Sequence, residues 1–261
     1  MRDRLLPGVL AAGLALLLVR PAMAPNVLLG SALGEAPGRL FVTAQVTRWV
    51  TGAAAWGQGD LMAWPVGRTF WPVDPLIQVI EVPAAALLGP EGGLTAVIAL
   101  LLLLSGIGAA RLARSEGASA ISAITALVLV ELSPFMLRNL DDAVVEVLAI
   151  GVAALAALAT RRAAQRPTTS HRLTALLSTG ALALISPYYV VYLALAWVMV
   201  LPWALPRRPR GVVGVAMLGA LACALAAAPF VLTEGGHDGR LGPQWRGGYH
   251  LQSAPLVDPG G

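Results

Sequence analysis

Residues 93–110 read GLTAVIALLLLLSGIGAA, a run without a charged side chain that is followed directly by Arg111 and Arg114. About 20 apolar residues suffice for a helix to cross the hydrocarbon core of a bilayer. The whole chain has this character, because 57% of its 261 residues are hydrophobic and 12% are charged. A soluble domain has about 25% charged residues. The composition therefore predicts an all-α integral membrane protein.

Six further apolar runs predict further spans. One lies within residues 1–20, and the others lie at 118–136, 142–160, 172–186, 188–205 and 211–232. Residues 1–24 also resemble a secretory signal, with Ala22-Met23-Ala24 as the cleavage site. We favour a first transmembrane helix, because a polytopic protein seldom needs a cleaved signal. The expected architecture is about seven transmembrane helices, with the last six forming a bundle over residues 93–232.

The arginines predict the orientation of these helices. All 18 basic residues are arginine, and eleven of them fall in the short segments 1–4, 111–117, 161–171 (with Arg172 at the helix edge) and 206–210. Arginine accumulates in cytoplasmic loops. The N-terminus is therefore expected inside, and residues 21–92 and the tail 233–261 outside. Short clusters of this kind do not form a phosphate-tracking patch, so no nucleic-acid partner is expected.

The outer segment 21–92 is expected to carry surface helices. Residues 38–56 have the amphipathic spacing of a helix that lies on the membrane interface. Residues 57–75 are rich in Gly, Pro and Trp, which predicts irregular structure. Residues 75–89 are apolar but interrupted by Glu81 and Pro83, and they are too short to span. They favour a second surface or re-entrant helix.

The candidate catalytic residue in this segment is Glu35. A carboxylate just outside the membrane can accept a proton from an acceptor hydroxyl while a lipid phosphate leaves, although a solvated loop acid would look the same. Arg48 and Arg68 are candidates for holding that phosphate through charge-assisted hydrogen bonds, or for meeting anionic headgroups. Trp64 is a candidate for stacking on a sugar, although tryptophans here are typical interfacial anchors. Two further substrate-binding candidates are Asp60, a turn-type residue beside Gly59, and Arg138.

A second group of acids surrounds one expected helical hairpin. Glu131 and Glu146 lie near the outer ends of two spans, where a polar group in hydrocarbon is costly. Asp142 and Glu146, four residues apart, would share a helix face. Together with Asp141 they are candidate ligands for a divalent metal ion, the one cofactor considered, or for a substrate amine or hydroxyl. The alternative is structural: the aspartates cap the next helix and Arg138 pairs locally.

The order of these features resembles the GT-C class of polytopic membrane glycosyltransferases. The resemblance covers about residues 5–205 and rests on the first span, the early acid, the turn Trp64-Pro65-Val66-Gly67 (often Tyr-Pro-x-Gly in the family) and the span ending in Leu-Ser-Gly-Ile-Gly-Ala-Ala-Arg-Leu-Ala-Arg. It implies a bacterial cytoplasmic (inner) membrane and transfer of a sugar from a polyprenyl-phosphate donor at its outer face, with membrane lipids as the other partners. Glu35 falls where the family has its catalytic acid, usually Asp.

Three alternatives stay open at this point. The family commonly has more than seven helices, so a truncated chain, or one that lacks the acceptor part, is the first alternative. A transporter or lipid-handling protein would use Glu131 and Glu146 to line a path, although the symmetric halves typical of transporters are not evident. A non-catalytic membrane subunit or fragment is the third interpretation.

Overall fold

The computed structural model describes residues 2–23, 35–54, 58–59, 68–69, 74–204 and 209–234. The described residues form eleven α-helices: α1 (Arg2–Val19), α2 (Ala36–Val50), α3 (Pro75–Leu88), α4 (Pro90–Ser115), α5 (Ala120–Glu131), α6 (Pro134–Asp141), α7 (Val145–Leu148), α8 (Ile150–Gln165), α9 (Thr169–Ile185), α10 (Pro187–Ala204) and α11 (Pro209–Glu234). A 3-10 turn, Arg20–Met23, follows α1. Two short antiparallel strands, β1 (Gln58–Gly59) and β2 (Arg68–Thr69), pair Gln58 with Thr69.

Helix α4 is the central element of the bundle, and it contacts α1, α3, α5 and α8. Its 26 residues give a length of about 39 Å at 1.5 Å per residue. Pro90 stands at the first helical position, where its missing N–H costs nothing. Leu94, Ile98 and Leu102 follow at helical spacing and are fully buried in the largest apolar cluster. The stretch predicted as a span is therefore the core of the fold.

Glycines let neighbouring backbones approach α4 closely. A Cβ on Gly151 of α8 would collide with the backbone of α4 at Leu104 and Ser105, and one on Gly108 would lie 2.6 Å from the carbonyl oxygen of Gly151. Near its other end, a Cβ on Gly93 would lie 2.7 Å from the backbone of Ala85 in α3. Close crossings of this kind are typical of membrane helix pairs, where small residues allow tight van der Waals packing.

Three helical stretches are long and apolar enough to cross a membrane: Leu5–Met23, Pro90–Ser115 and Ala120–Asp141. They coincide with the first three predicted spans. The third consists of α5 and α6 in succession, with a break at residues 132–133 where Ser133 caps α6 by accepting the N–H of Met136. Helices α9, α10 and α11 lie where the last three spans were predicted. The membrane-spanning character of the chain is thus supported, while the number seven stays a prediction.

The prediction of one continuous helix over residues 142–160 is wrong. Helix α6 ends at Asp141, and α7 covers only Val145–Leu148 before α8 begins at Ile150. Between them Ala143 has φ of 55°, a left-handed conformation that interrupts any helix. Asp142 and Glu146 therefore do not share a helix face. Asp141 and Asp142 end α6 instead of capping the next helix.

The broken segment is stable because neighbouring helices satisfy its backbone. Ser105 Oγ of α4 donates to the carbonyl oxygen of Leu148 at 2.8 Å and accepts the N–H of Gly151 at 3.3 Å. The hydroxyl of Tyr189, at the start of α10, donates to the carbonyl oxygen of Val147 at 2.7 Å. Buried backbone groups without partners are costly, and these contacts replace the helical bonds that the break removes. Tyr189 is therefore bound within the bundle.

The two helices expected within residues 21–92 are both present. Helix α2 covers residues 36–50, where a helix over 38–56 was expected. Helix α3 covers Pro75–Leu88, as expected for residues 75–89, and it runs through both Glu81 and Pro83. Pro83 lies on the exposed side of α3, and Glu81 is fully buried against α2. The helix tolerates a buried acid because a neighbouring helix supplies its partners.

An ion pair joins the C-terminal ends of α4 and α8. Arg161 of α8 donates to the carboxylate of Glu116, the residue that follows α4. Both residues belong to segments predicted to face the cytoplasm. The ion pair shows that these two segments lie at the same end of the bundle, as the arginine pattern requires.

Candidate functional site

The site is built on a polar interface between α2 and α3. Arg39 and Thr43 lie one turn apart on α2, while Asp74, Gln78 and Glu81 follow at intervals of four and three residues at the start of α3. These spacings place each set on one helix face. Contacts run in register from Arg39 with Asp74 to Thr43 with Gln78 and Glu81, and Trp49 and Val82 further along belong to one apolar cluster. The two helices therefore run in the same direction.

Hydrogen bonds link the two faces directly. Thr43 Oγ1 lies 2.6 Å from Glu81 Oε1 and 3.3 Å from Gln78 Oε1, and it can donate to either acceptor. All three side chains are buried. A buried interface of this polarity is stable only when its groups are paired, which makes the relative position of α2 and α3 specific.

Arg39 is the cation of this interface. One guanidinium nitrogen, Nη1, donates to Asp74, and Nε donates to Glu81 Oε2 at 3.2 Å. The arginine side chain is 10% exposed and that of Glu81 is 0% exposed. Burial alone would lower the pKa of Arg39, but the adjoining carboxylates of Asp74 and Glu81 raise it above its ordinary value. Arg39 is thus held in its charged form by two acids from α3.

Asp74 begins α3 but does not cap it with its side chain, which turns to Arg39 instead. Burial raises the pKa of the Asp74 carboxyl to about 6, against the lowering effect of Arg39, and the charges of Glu146 and Glu81 add to the rise. This carboxyl therefore titrates close to neutral pH. A group of that kind can take up or release a proton under physiological conditions.

Glu35 lies at the start of α2, one turn before Arg39, whose N–H donates to the Glu35 carbonyl oxygen at 3.0 Å. The N–H of Glu35 donates to the carbonyl oxygen of Asp142 at 2.9 Å, in the broken segment between α6 and α7. Partial burial of the carboxyl and the nearby charge of Glu146 raise the pKa of Glu35, while Arg39 lowers it. The structure thus brings Glu35 together with the second group of acids.

The remaining predicted site residues have separate surroundings. Arg138 donates through Nε to Asp142 Oδ2 at 2.8 Å, and its side chain is 75% exposed, so the local pairing is the one observed. Arg48 lies on α2 and is half-buried. Arg68 belongs to β2, where only its backbone is described, and Asp60 and Trp64 lie outside the described residues.

The described residues contain no group of three or more His, Cys, Asp or Glu side chains placed to hold a metal ion. Asp141 is exposed, Asp142 is paired with Arg138, and Glu146 lies beyond the break at Ala143. A divalent ion at these three acids therefore stays a prediction without geometric support.

Sequence reasoning missed Arg39, Asp74 and Glu81 as site residues. The signal was present in the spacing, because Asp74, Gln78 and Glu81 form one polar stripe on an otherwise apolar helix. Such a stripe requires a partner with donors, and α2 carries one arginine and one threonine at matching spacing. In the sequence Glu81 only interrupts an apolar run, whereas in the structure it contacts Arg39 and Thr43.

The arrangement offers an exposed glutamate, Glu35, whose carboxyl has a raised pKa and whose backbone is held between an ion-pair network and a broken helical segment. Comparison with known proteins adds no identity to this geometry, since no family model, curated protein or solved structure matches the chain.

Proposed function

We propose that the chain is a membrane glycosyltransferase-like protein that transfers a sugar from a polyprenyl-phosphate donor to an acceptor hydroxyl. In this proposal seven helices cross the bacterial inner membrane with the N-terminus inside, and residues 21–92 face outward. Glu35 is the catalytic base. The proposal rests on the sequence resemblance and on the surroundings of Glu35.

The observation that carries the proposal is the position of Glu35. Its backbone is bonded to Asp142, and its carboxyl lies in the field of Glu146, Arg39 and Asp74. A carboxylate whose pKa is raised by partial burial and by neighbouring acids is a stronger base than a free glutamate. Positioning by a paired helix also meets the need of general-base catalysis for fixed geometry.

The reaction assigns one role to each charge. Glu35 takes the proton of the acceptor hydroxyl while the hydroxyl oxygen forms a bond to the anomeric carbon of the donor sugar. The bond from that carbon to the phosphate oxygen breaks, and its electron pair leaves with the lipid phosphate. Arg39 is bound to two carboxylates, so the phosphate is assigned to Arg48 or Arg68. Arg48 lies 13 residues along α2 from Glu35, about 20 Å at 1.5 Å per residue, which favours Arg68 for a phosphate that leaves the carbon next to Glu35.

The test is a Glu35→Gln variant assayed in membranes with polyprenyl-phosphate hexoses that carry a radioactive sugar. A general base contributes about 10²- to 10⁴-fold to a rate, so transfer should fall at least about 100-fold. Glu35→Asp keeps a carboxylate and matches the residue usual in the family, so it should retain measurable transfer. Glu91→Gln, in the first turn of α4, is the matched control. Full transfer by a folded Glu35→Gln variant would exclude the proposed mechanism.

The proposed topology has its own test. Reporter fusions within residues 21–92 should show this segment on the periplasmic side of the inner membrane. Fusions at 111–117 and 161–171 should show both of these segments on the cytoplasmic side. The Glu116–Arg161 ion pair requires these two segments to share a side. A cytosolic location of residues 21–92 would remove the basis for an outer-face reaction.

A further inference from the structure

Glu131 lies at a site that the proposed reaction does not use. It is the last residue of α5, within the candidate span Ala120–Asp141, and it is 0% exposed. Its carboxyl lies against Gly106 of α4, where an added Cβ would collide with Glu131 Oε1 and come within 2.9 Å of Ala11 Cβ in α1. The carboxyl therefore occupies the space that the missing side chain of Gly106 leaves between three apolar helices.

Neither carboxyl oxygen of Glu131 has a hydrogen-bond partner among the residues that the structure describes. Glu81 is equally buried, but it is bound by Arg39 and Thr43. The contrast shows that the chain supplies donors to one buried acid and leaves the other without them.

The helices around Glu131 bring few charges near it. Residues Leu5–Val19 of α1 and Ala120–Val130 of α5 contain no titratable side chain. The titratable residues of α4 and α6 lie toward the helix ends or on exposed turns: Glu91, Arg111, Arg114, Arg138 and Asp141. Arg111, the nearest of these to Gly106 along α4, is five residues away and exposed.

An ionised carboxylate without a partner in an apolar interior is strongly disfavoured, whereas the neutral acid avoids most of that penalty. We propose that Glu131 is a proton-binding site at the junction of α1, α4 and α5. Glu131 carries a proton while the three helices are packed and releases it when they separate around it. The site couples proton uptake to helix packing, and this holds whether or not the chain transfers a sugar.

The test is labelling of the full-length protein in membranes with the hydrophobic reagent dicyclohexylcarbodiimide. The O–H of a protonated carboxyl adds across a C=N bond of the reagent, so the adduct retains the whole reagent molecule and no other reactant is consumed. Peptide mass spectrometry should find the adduct at Glu131, with several-fold less of it at about pH 9 than at about pH 6. Exposed Glu116 should react with a water-soluble carbodiimide instead. An adduct level at Glu131 that is no higher than at Glu116, or that does not change with pH, would overturn the proposal.

A Glu131→Gln variant provides the second measurement, because glutamine is the neutral isostere of the protonated acid. It should fold, lose the adduct and keep the same thermal midpoint at about pH 6 and about pH 9, while the parent protein should melt earlier at the higher pH. A Glu131→Gln variant that keeps the pH dependence of the parent would assign that dependence to other groups and overturn the proposal, and one that fails to fold would show that the neutral isostere does not fit the packed site.

Discussion

Arg39 offers the sharpest test of how α2 and α3 are held together. The perturbation is Arg39→Met, which keeps an unbranched side chain but removes both ion pairs. Asp74 and Glu81 would then lie buried without their cation, at side-chain exposures of 6% and 0%. Removing one partner of a buried ion pair costs about 3–5 kcal/mol, since the other charge stays desolvated.

The matched control is Arg138→Met. Arg138 also binds an aspartate, Asp142 at 2.8 Å, but its side chain is 75% exposed. Exposed pairs contribute about 0–1 kcal/mol. The same substitution should therefore have a small effect at position 138 and a large one at position 39. For a chain of this size the difference corresponds to a thermal midpoint lower by about 10 °C.

The assay is thermal unfolding of the purified protein in detergent micelles, followed by circular dichroism. Adding Asp74→Asn and Glu81→Gln to Arg39→Met should recover much of the loss, because no unpaired carboxylate then stays buried. An Arg39→Met variant as stable as Arg138→Met would refute the reasoning that the ion pairs fix the interface. Failure of the triple variant to recover would indicate that Arg39 acts through packing.

Two further predictions concern the helix crossing and the pH dependence. Gly151→Ala should destabilise the fold by several kcal/mol or prevent folding, because the added Cβ meets the backbone of α4. Gly180→Ala has nothing within 4 Å of its added Cβ, so it should be neutral or stabilising by up to about 1 kcal/mol. Equal melting temperatures for the two variants would contradict the close crossing. Asp74 has a folded-state pKa of about 6 against an ordinary value of 3.8. Between these pH values the folded state binds more protons than the unfolded state. The free energy of unfolding should therefore fall by about 3 kcal/mol as the pH rises through this range. Asp74→Asn should remove most of that slope in melts between about pH 4 and about pH 7, and an unchanged slope would assign it to other groups.

The sequence predicted those elements that follow from apolar content. Hydrophobicity and length correctly predicted the helix at 93–110, the later helices and the two shorter helices within residues 21–92. Apolar runs long enough to cross a bilayer have few alternatives to a helix. Breaks within such runs are harder to predict. The interruption at Ala143 depends on Ser105 and Tyr189, which come from distant parts of the chain, and no local pattern reports them.

The candidate site was predicted in the same uneven way. Glu35 was selected from its place after the first span, and the acids of the later hairpin were selected as a separate group. The structure joins the two through a backbone contact between residues 107 positions apart in sequence. Residue type does not encode a contact of this kind. The pairing of Arg39 with Glu81 was likewise missed. In the sequence Arg39 alone is typical of a solvated charge, and Glu81 alone is an interruption of an apolar run.

The bond between Glu35 and Asp142 is made by main-chain atoms on both sides. Exchanging either side chain leaves the amide and the carbonyl in place, so alanine substitutions at these positions would not detect this hydrogen bond. Only removal of the amide proton at position 35, as in Glu35→Pro, takes the donor away. A residue anchored in this manner can be exchanged, for instance from glutamate to aspartate, without losing the hydrogen bond that positions its backbone.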